Sequence, residues 1–226
     1  MTQQDSKIYI AIPAFNEGEI IDKVISKIKS VGFDNIIVID DGSSDETFLK
    51  ASEAGVVVFK HLINRGKGAA VKTGIEAAKI LSADIVITMD ADGQHNPADA
   101  ERMIDLIHSG YDVVLGTRLK KGKGMPSYKI LANYLGNFFT WLIYGLWVSD
   151  SQSGFRAYSK KAIYLIDTKT DRYEYDSEII KEIKRNKLKF VEVPIEVHYT
   201  EYSMNKKHKQ NLKNGLKTLI KMIISE

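Results

Sequence analysis

The segment ITMDADGQH, residues 87–95, ends an apolar run in two carboxylates two positions apart, Asp90 and Asp92, followed by Gly93, Gln94 and His95. Side chains alternate faces along an extended chain, so Asp90 and Asp92 share a face and Gln94 continues it. Oxygen donors in the absence of any thiolate suit a hard cation, Mg2+ or Mn2+, which keeps positions open for substrate phosphates. Two solvated loop acids would have the same spacing, so the other strand ends must be weighed with this one. NIIVIDD ends on Asp40 and Asp41 before the turn residues Gly42 and Ser43. An acid at that place can hold a ribose or a base; a turn that merely caps a helix at Ser44 is the lesser alternative. A third apolar run, IYIAI, passes directly into PAFNE at residues 13–17. His95 is expected to hydrogen-bond to neighbouring backbone. His61, His108, His198 and His208 have no ligand spacing, so zinc is not expected.

These tips must be held by the elements before them. β-branched runs predict strands at 8–12, 35–40, 56–59, 85–89 and 113–116. Helical spacing predicts helices at 20–31, 44–55, 66–83 and 97–107 in between. Strict alternation implies an α/β fold, a mostly parallel central sheet flanked by helices on both faces. Ligands of such sheets bind beyond the carboxyl ends of the strands, where the three polar tips converge. Neither GxGxxG nor GxxxxGK[ST] occurs, and Gly66-Lys67-Gly68 is too short to make a phosphate loop by itself. This argues against a dinucleotide oxidoreductase and a P-loop ATPase. Beyond residue 118 the chain runs through a basic loop, RLKKGKGMPSYK (118–129), and an aromatic-rich helix at 130–147. A helical segment at 160–186 and a strand at 188–200, interrupted by Pro194, follow.

Composition narrows the classes further. The 226 residues are 44% hydrophobic and 27% charged, as in soluble globular chains. A net charge of +3 is too small to announce nucleic acid as a partner. The lack of cysteine excludes disulfides, thiolate metal sites and a cysteine nucleophile. The polar start MTQQDSK has no signal-peptide character, and no apolar run reaches the length of a bilayer span. A cytoplasmic protein is expected, of open oligomeric state.

The set IPAFNE, DDGSSD, NRGKGAAVKTG, DADGQH, GTR and DSQSGFRAY, in this order, resembles the family 2 glycosyltransferases of GT-A fold. The subgroup it is most similar to comprises dolichyl-phosphate mannosyltransferase-like enzymes and bacterial polyprenyl-phosphate glycosyltransferases, over roughly residues 7–206. The resemblance implies one glycosyltransferase domain over 1–226. Residues 1–118 would form the nucleotide-sugar half, 119–206 the acceptor half and 207–226 a basic C-terminal helix. It also implies a metal-dependent, inverting transfer of a hexose from a nucleotide sugar, of GDP-mannose or UDP-glucose type, to a polyprenyl phosphate. A saccharide or other hydroxyl acceptor, or a nucleotidyltransferase, are the alternatives. Pro13, Phe15, Glu17, Ile39, Asp41, Asp90, Ala91, Asp92, Arg118 and Lys206 match nucleotide-sugar-binding positions. Asp90, Asp92 and Gln94 match the Mg2+ or Mn2+ segment, and Asp92, Arg118 and Arg156 the catalytic positions. Thr200 stands where the family motif before Lys206 carries an arginine.

A lipid phosphate is anionic and attacks without a base, whereas a sugar hydroxyl needs one. Asp150 is the one upstream acid in DSQSG; it is expected to orient Arg156 or cap a turn, with a base role as the alternative. Two stretches bear on a lipid. Leu131, Leu135, Phe138, Phe139, Leu142 and Leu146 trace one helical face near Trp141 and Trp147, suited to a core or to a bilayer interface. In 207–226, an apolar stripe from Leu212 to Ile224 runs beside Lys209, Lys213, Lys217 and Lys221, suited either to an anionic membrane or to packing on the domain.

Overall fold

The computed structural model of the protein describes residues 6–118, 127–172, 174–198 and Tyr202. Lys206, Thr200, most of the basic loop and the expected 207–226 helix lie outside the described residues. In chain order the elements are β1 (Ile8–Ala14), α1 (Ile21–Ser30), β2 (Ile36–Asp40), α2 (Thr47–Glu53), β3 (Val57–Lys60), α3 (Lys67–Ile80) and β4 (Ile85–Thr88). They continue with α4 (Asp99–His108), β5 (Val113–Thr117), α5 (Ser127–Tyr144), β6 (Arg156–Ser159), α6 (Lys160–Leu165), α7 (Glu174–Arg185) and β7 (Phe190–Pro194). The seven strands form one sheet in the order β3-β2-β1-β4-β6-β5-β7. All neighbours are parallel except β6, which runs antiparallel to both β4 and β5.

The α/β expectation holds, with two differences. The strand β6 was not expected: it has only four residues, begins with an arginine, and owes its extended state to pairing on both edges. The segment 160–186 is two helices rather than one, with residues 166–173 between them.

Strand alternation sorts the core into two layers. Ile10 and Ile12 of β1 join Val38, Ile87 and the buried faces of α1 and α4 on one side. Tyr9 and Ala11 join Ile37, Ile39, Val86 and Tyr158 under α3 and α7 on the other. The α3 helix packs directly on the sheet at Gly74, where the lack of a side chain allows the approach. A Cβ at Gly74 would stand 2.7 Å from Ile39 Cδ1 and 3.0 Å from Ala11 Cβ. Close packing of α3 carries its first residue, Lys67, to the carboxyl-end rim. Register keeps that rim level, with Ala14 opposite Asp40 and Ala11 opposite Thr88. Among the described residues no helix is long and apolar enough to cross a membrane.

Candidate active site

The tips of β1 and β2 are stapled together. Asn16, at φ 53°, donates its backbone N–H to Ser43 Oγ (2.9 Å), and its own Oδ1 accepts from Ser44 N (3.0 Å). Glu17 N donates to Thr47 Oγ1 (2.8 Å), and Gly18 N to Asp45 Oδ2 (2.9 Å). Asp45 also accepts from the Thr47 hydroxyl (2.5 Å) and from Thr47 N (3.0 Å). Burial raises its pKa, but these hydrogen bonds outweigh burial and leave it lowered. On this frame Pro13 is half-buried and Phe15 is 40% exposed. The Glu17 carboxylate is buried and accepts from the Tyr202 hydroxyl (2.8 Å). Burial, and then that carboxylate, raise the Tyr202 pKa, so it remains a donor. Ile39 is wholly buried against α3.

Asp41 organises the connection from β3 to α3. Its buried carboxylate accepts from the His61 ring at Nδ1 (2.7 Å), from Arg65 N (3.0 Å) and from Gly66 N (2.7 Å). The other His61 nitrogen lies 2.9 Å from Thr73 Oγ1. Gly66 has φ 111°, and a Cβ there would stand 2.6 Å from Asp171 O, so only glycine fits. The neighbouring acid Asp40 is also buried; it accepts from Ser43 N (2.9 Å) and pairs with Lys60 (3.4 Å).

At the β4 tip, Asp90 lies between Lys67 and His95. Its Oδ1 is 2.9 Å from Lys67 Nζ, and its Oδ2 is 3.4 Å from His95 Nε2. Burial opposes its charge, yet Lys67 and then His95 override burial and hold the carboxyl far below the usual carboxylate range. Gly154 floors this site, since a Cβ there would collide with the Asp90 carboxylate. His95 departs from expectation. It packs on Phe155 (5.1 Å between ring centres), faces Asp90, and its buried Nδ1 has no hydrogen-bond partner among the described residues. The tip is fastened to the chain beyond β7 by a bridge from His95 to Val197 and by His198 N donating to Gln94 O (2.8 Å).

Asp92 is placed differently. It accepts from Gln94 N (3.1 Å) and from Gln94 Nε2 (2.7 Å), and Ala91 beside it is buried. Asp90, Asp150 and Asp176 each pair with a protein cation, but Asp92 has no cationic partner among the described residues. A half-buried carboxylate with no cation beside it is a fitting oxygen donor for a hard cation. The Gln94 side chain, hydrogen-bonded to it through the amide nitrogen, brings an amide oxygen into the same neighbourhood. No group of three or more His, Cys, Asp or Glu residues suited to a metal occurs among the described residues. The protein would therefore supply few ligands, and phosphate and water oxygens the rest.

Beyond β4 two arginines take different roles. Arg118, about one-quarter exposed, forms a fork on fully buried Asp150: Nε to Oδ2 and Nη2 to Oδ1, both 2.7 Å. Arg156 is 2% exposed. It donates to the carbonyls of Ser153 (2.8 Å), Ser151 (2.6 Å) and Asp176 (3.1 Å), and pairs with Asp176 Oδ1 (3.4 Å). The expected partnership is thus corrected: Asp150 orients Arg118, and Asp176 holds Arg156. Arg156 starts the central strand β6 and is enclosed by it, so its guanidinium lies beneath the rim.

Lys67 and Asp176 were not among the residues expected here. Lys67 Nζ also lies 3.6 Å from Asp176 Oδ2. Burial disfavours its charge, but Asp176 and Asp90 raise its pKa, so it is a cation. For Asp176, burial wins over Lys67 and Arg156 and raises its pKa. A signal for Asp176 existed, because it precedes Ile179, Ile180 and Ile183 on the buried face of α7. A carboxylate on an apolar helix face demands a charged partner.

The fold is that of the GT-A glycosyltransferases. It overlays glucosyl-3-phosphoglycerate synthase of Mycobacterium tuberculosis, crystallised with Mn2+, uridine diphosphate and phosphoglyceric acid, with a TM-score of 0.75 and 21% identity, over 99% of this chain and 79% of that one. Residues 9–167 match the family described as glycosyl transferase family 2, and the chain belongs to that family. It is 43% identical to an uncharacterised protein of Methanocaldococcus jannaschii, over 97% of this chain and 92% of its relative. It is 40% identical to the UDP-N-acetylglucosamine–dolichyl-phosphate N-acetylglucosaminyltransferase of Methanococcus voltae, over 88% and 89% of the two chains.

Proposed function

We propose that this glycosyltransferase moves a sugar, with inversion, from a nucleoside diphosphate sugar to a polyprenyl phosphate at the cytoplasmic face of a membrane. The observation that carries the reading is the contrast at the β4 tip: Asp90 is neutralised by Lys67, whereas Asp92 has no cation beside it among the described residues. Asp92 and Gln94, with Asp90, would hold Mg2+ or Mn2+. When bound, that ion neutralises charge growing on the leaving diphosphate. Arg118, held rigid by Asp150, adds fixed positive charge at the same rim. The tips of β1 and β2, with Phe15 and Glu17, lie where the nucleoside would bind.

A phosphate acceptor accords with the acids present. Asp150 and Asp176 are both committed to arginines, and a phosphate oxygen attacks without surrendering a proton. The Methanococcus relative, named for a dolichyl-phosphate acceptor and a UDP-sugar donor, supports the same choice of acceptor and a uridine donor. Membrane contact is supported by α5, where Tyr134, Phe138, Trp141 and Leu142 are exposed at helical spacing, with exposed Trp147 just beyond.

The test is an incubation of purified protein with labelled nucleotide sugars, Mn2+ and a short-chain polyprenyl phosphate. Label extracted with the lipid is expected. Transfer to saccharides alone would replace the acceptor.

A further inference from the structure

Lys67 stands between two carboxylates of unlike character. Asp90 is 29% exposed at the rim, whereas Asp176 is 8% exposed beneath it. The backbone around them is fixed. Ala69 N donates to Asp171 O (3.0 Å), and a Cβ at Gly68 would stand 2.6 Å from Tyr175 Cβ, so the first turns of α3 and α7 touch without intervening side chains. Asp90 cannot withdraw, because Gly154 lies directly behind it. The mobile member of the set is the four-carbon stem of Lys67. Asp176 offers it a second seat: Oδ1 faces Arg156 at 3.4 Å, and Oδ2 faces Lys67 at 3.6 Å. Closing that gap to a direct hydrogen bond needs a shift of under about 1 Å.

We propose that Lys67 is a displaceable counter-ion of Asp90, which neutralises the carboxylate before a divalent cation arrives and moves onto Asp176 when the cation binds. The inference rests on the divalent-cation reading of the β4 tip. A lysine and a divalent cation compete for one carboxylate, since their mutual repulsion is strong at contact distance. Asp176 lowers the cost of that exchange, which makes it a positioning residue acting through Lys67. No atom is transferred; only the partner of each carboxylate changes.

The test is Mn2+ binding without nucleotide, followed by the electron paramagnetic resonance of free Mn2+. Lys67→Met is expected to bind Mn2+ about tenfold tighter than the wild type, an ordinary size for coupled sites. Asp176→Asn is expected to bind it more weakly, and that effect should vanish in the Lys67→Met background. Additive effects of the two substitutions would mean that Asp176 acts only through its own field, and would overturn the proposal. Should Asp176→Asn fail to fold, crystals of the wild type with and without Mn2+ decide the matter. Lys67 Nζ is expected on Asp176 when Mn2+ is present; Nζ still on Asp90 beside bound Mn2+ would overturn the exchange. Equal Mn2+ affinity in wild type and Lys67→Met removes the counter-ion role alone. A lack of Mn2+ binding in every protein, even with uridine diphosphate added, removes the metal-dependent reading as well.

Discussion

Arg118 and Asp150 meet side to side through two contacts of 2.7 Å, Nε to Oδ2 and Nη2 to Oδ1, with the Arg118 backbone N–H adding a third at 3.0 Å. The carboxylate is wholly buried and the guanidinium reaches the rim, so an acid inside the fold aims a cation outward. Such a fork is specific to arginine. Arg118→Lys retains charge but loses the fork, and kcat is expected to fall by about 100-fold, the cost of misplacing one preorganised group. Asp150→Ala should match that loss and also lower the melting temperature, because it removes the buried partner of a charge. Equal kcat in Arg118→Lys and wild type would show that aiming is unimportant.

Gly154 is a second place where backbone governs a charged group. Gly154→Ala pushes a methyl group into the Asp90 carboxylate. Transfer is expected to fall by about 100-fold, as for a displacement of roughly 1 Å near reacting groups. Far-ultraviolet circular dichroism should stay unchanged, which separates a local displacement from unfolding.

The staple between β1 and β2 has a pH signature. The Asp45 pKa is lowered in the folded state, so its contribution to stability is present above its unfolded value, about 3.9, and is lost as the pH falls through the folded value. Asp45→Ala should therefore melt below the wild type at neutral pH, with the gap narrowing below about pH 4. A gap that is constant from pH 7 to pH 3 would mean that the charge on Asp45 does not matter.

The exposed face of α5 makes a prediction separate from catalysis. Replacing Phe138, Trp141 and Leu142 by serine should abolish cosedimentation with anionic vesicles, since full transfer of each side chain is worth about 1.5–3 kcal/mol and about 1.4 kcal/mol is already tenfold in affinity. Transfer to a water-soluble short-chain acceptor should persist. Undiminished vesicle binding would assign this face to another partner.

Much of this was legible in residue types. Five of the seven strands are apolar β-branched runs, and the acids at the tips of β2 and β4 lie where the runs stop. The strand β6 was not legible because a buried arginine and a short polar segment carry no strand signal; its neighbours impose the conformation. The pairings around the site were illegible for a related reason. Lys67 and Asp176 are far apart in sequence, and only the close seating of α3 and α7 brings them together. Asp150 is nearer in sequence to Arg156 than to Arg118, but the β6 crossover leaves Arg156 with the Ser151 and Ser153 carbonyls and with Asp176. Chain proximity pointed to the wrong arginine because sheet order, which composition does not encode, decides the partner.

The central claim is tested most directly by a crystal structure of the wild-type chain with Mn2+ and a uridine diphosphate sugar, read by anomalous scattering. A manganese peak is expected, bonded to an Asp92 carboxylate oxygen and to the donor diphosphate, with the nucleoside between the β1 and β2 tips. A diphosphate bound away from Asp92, with no manganese at the β4 tip, would contradict it.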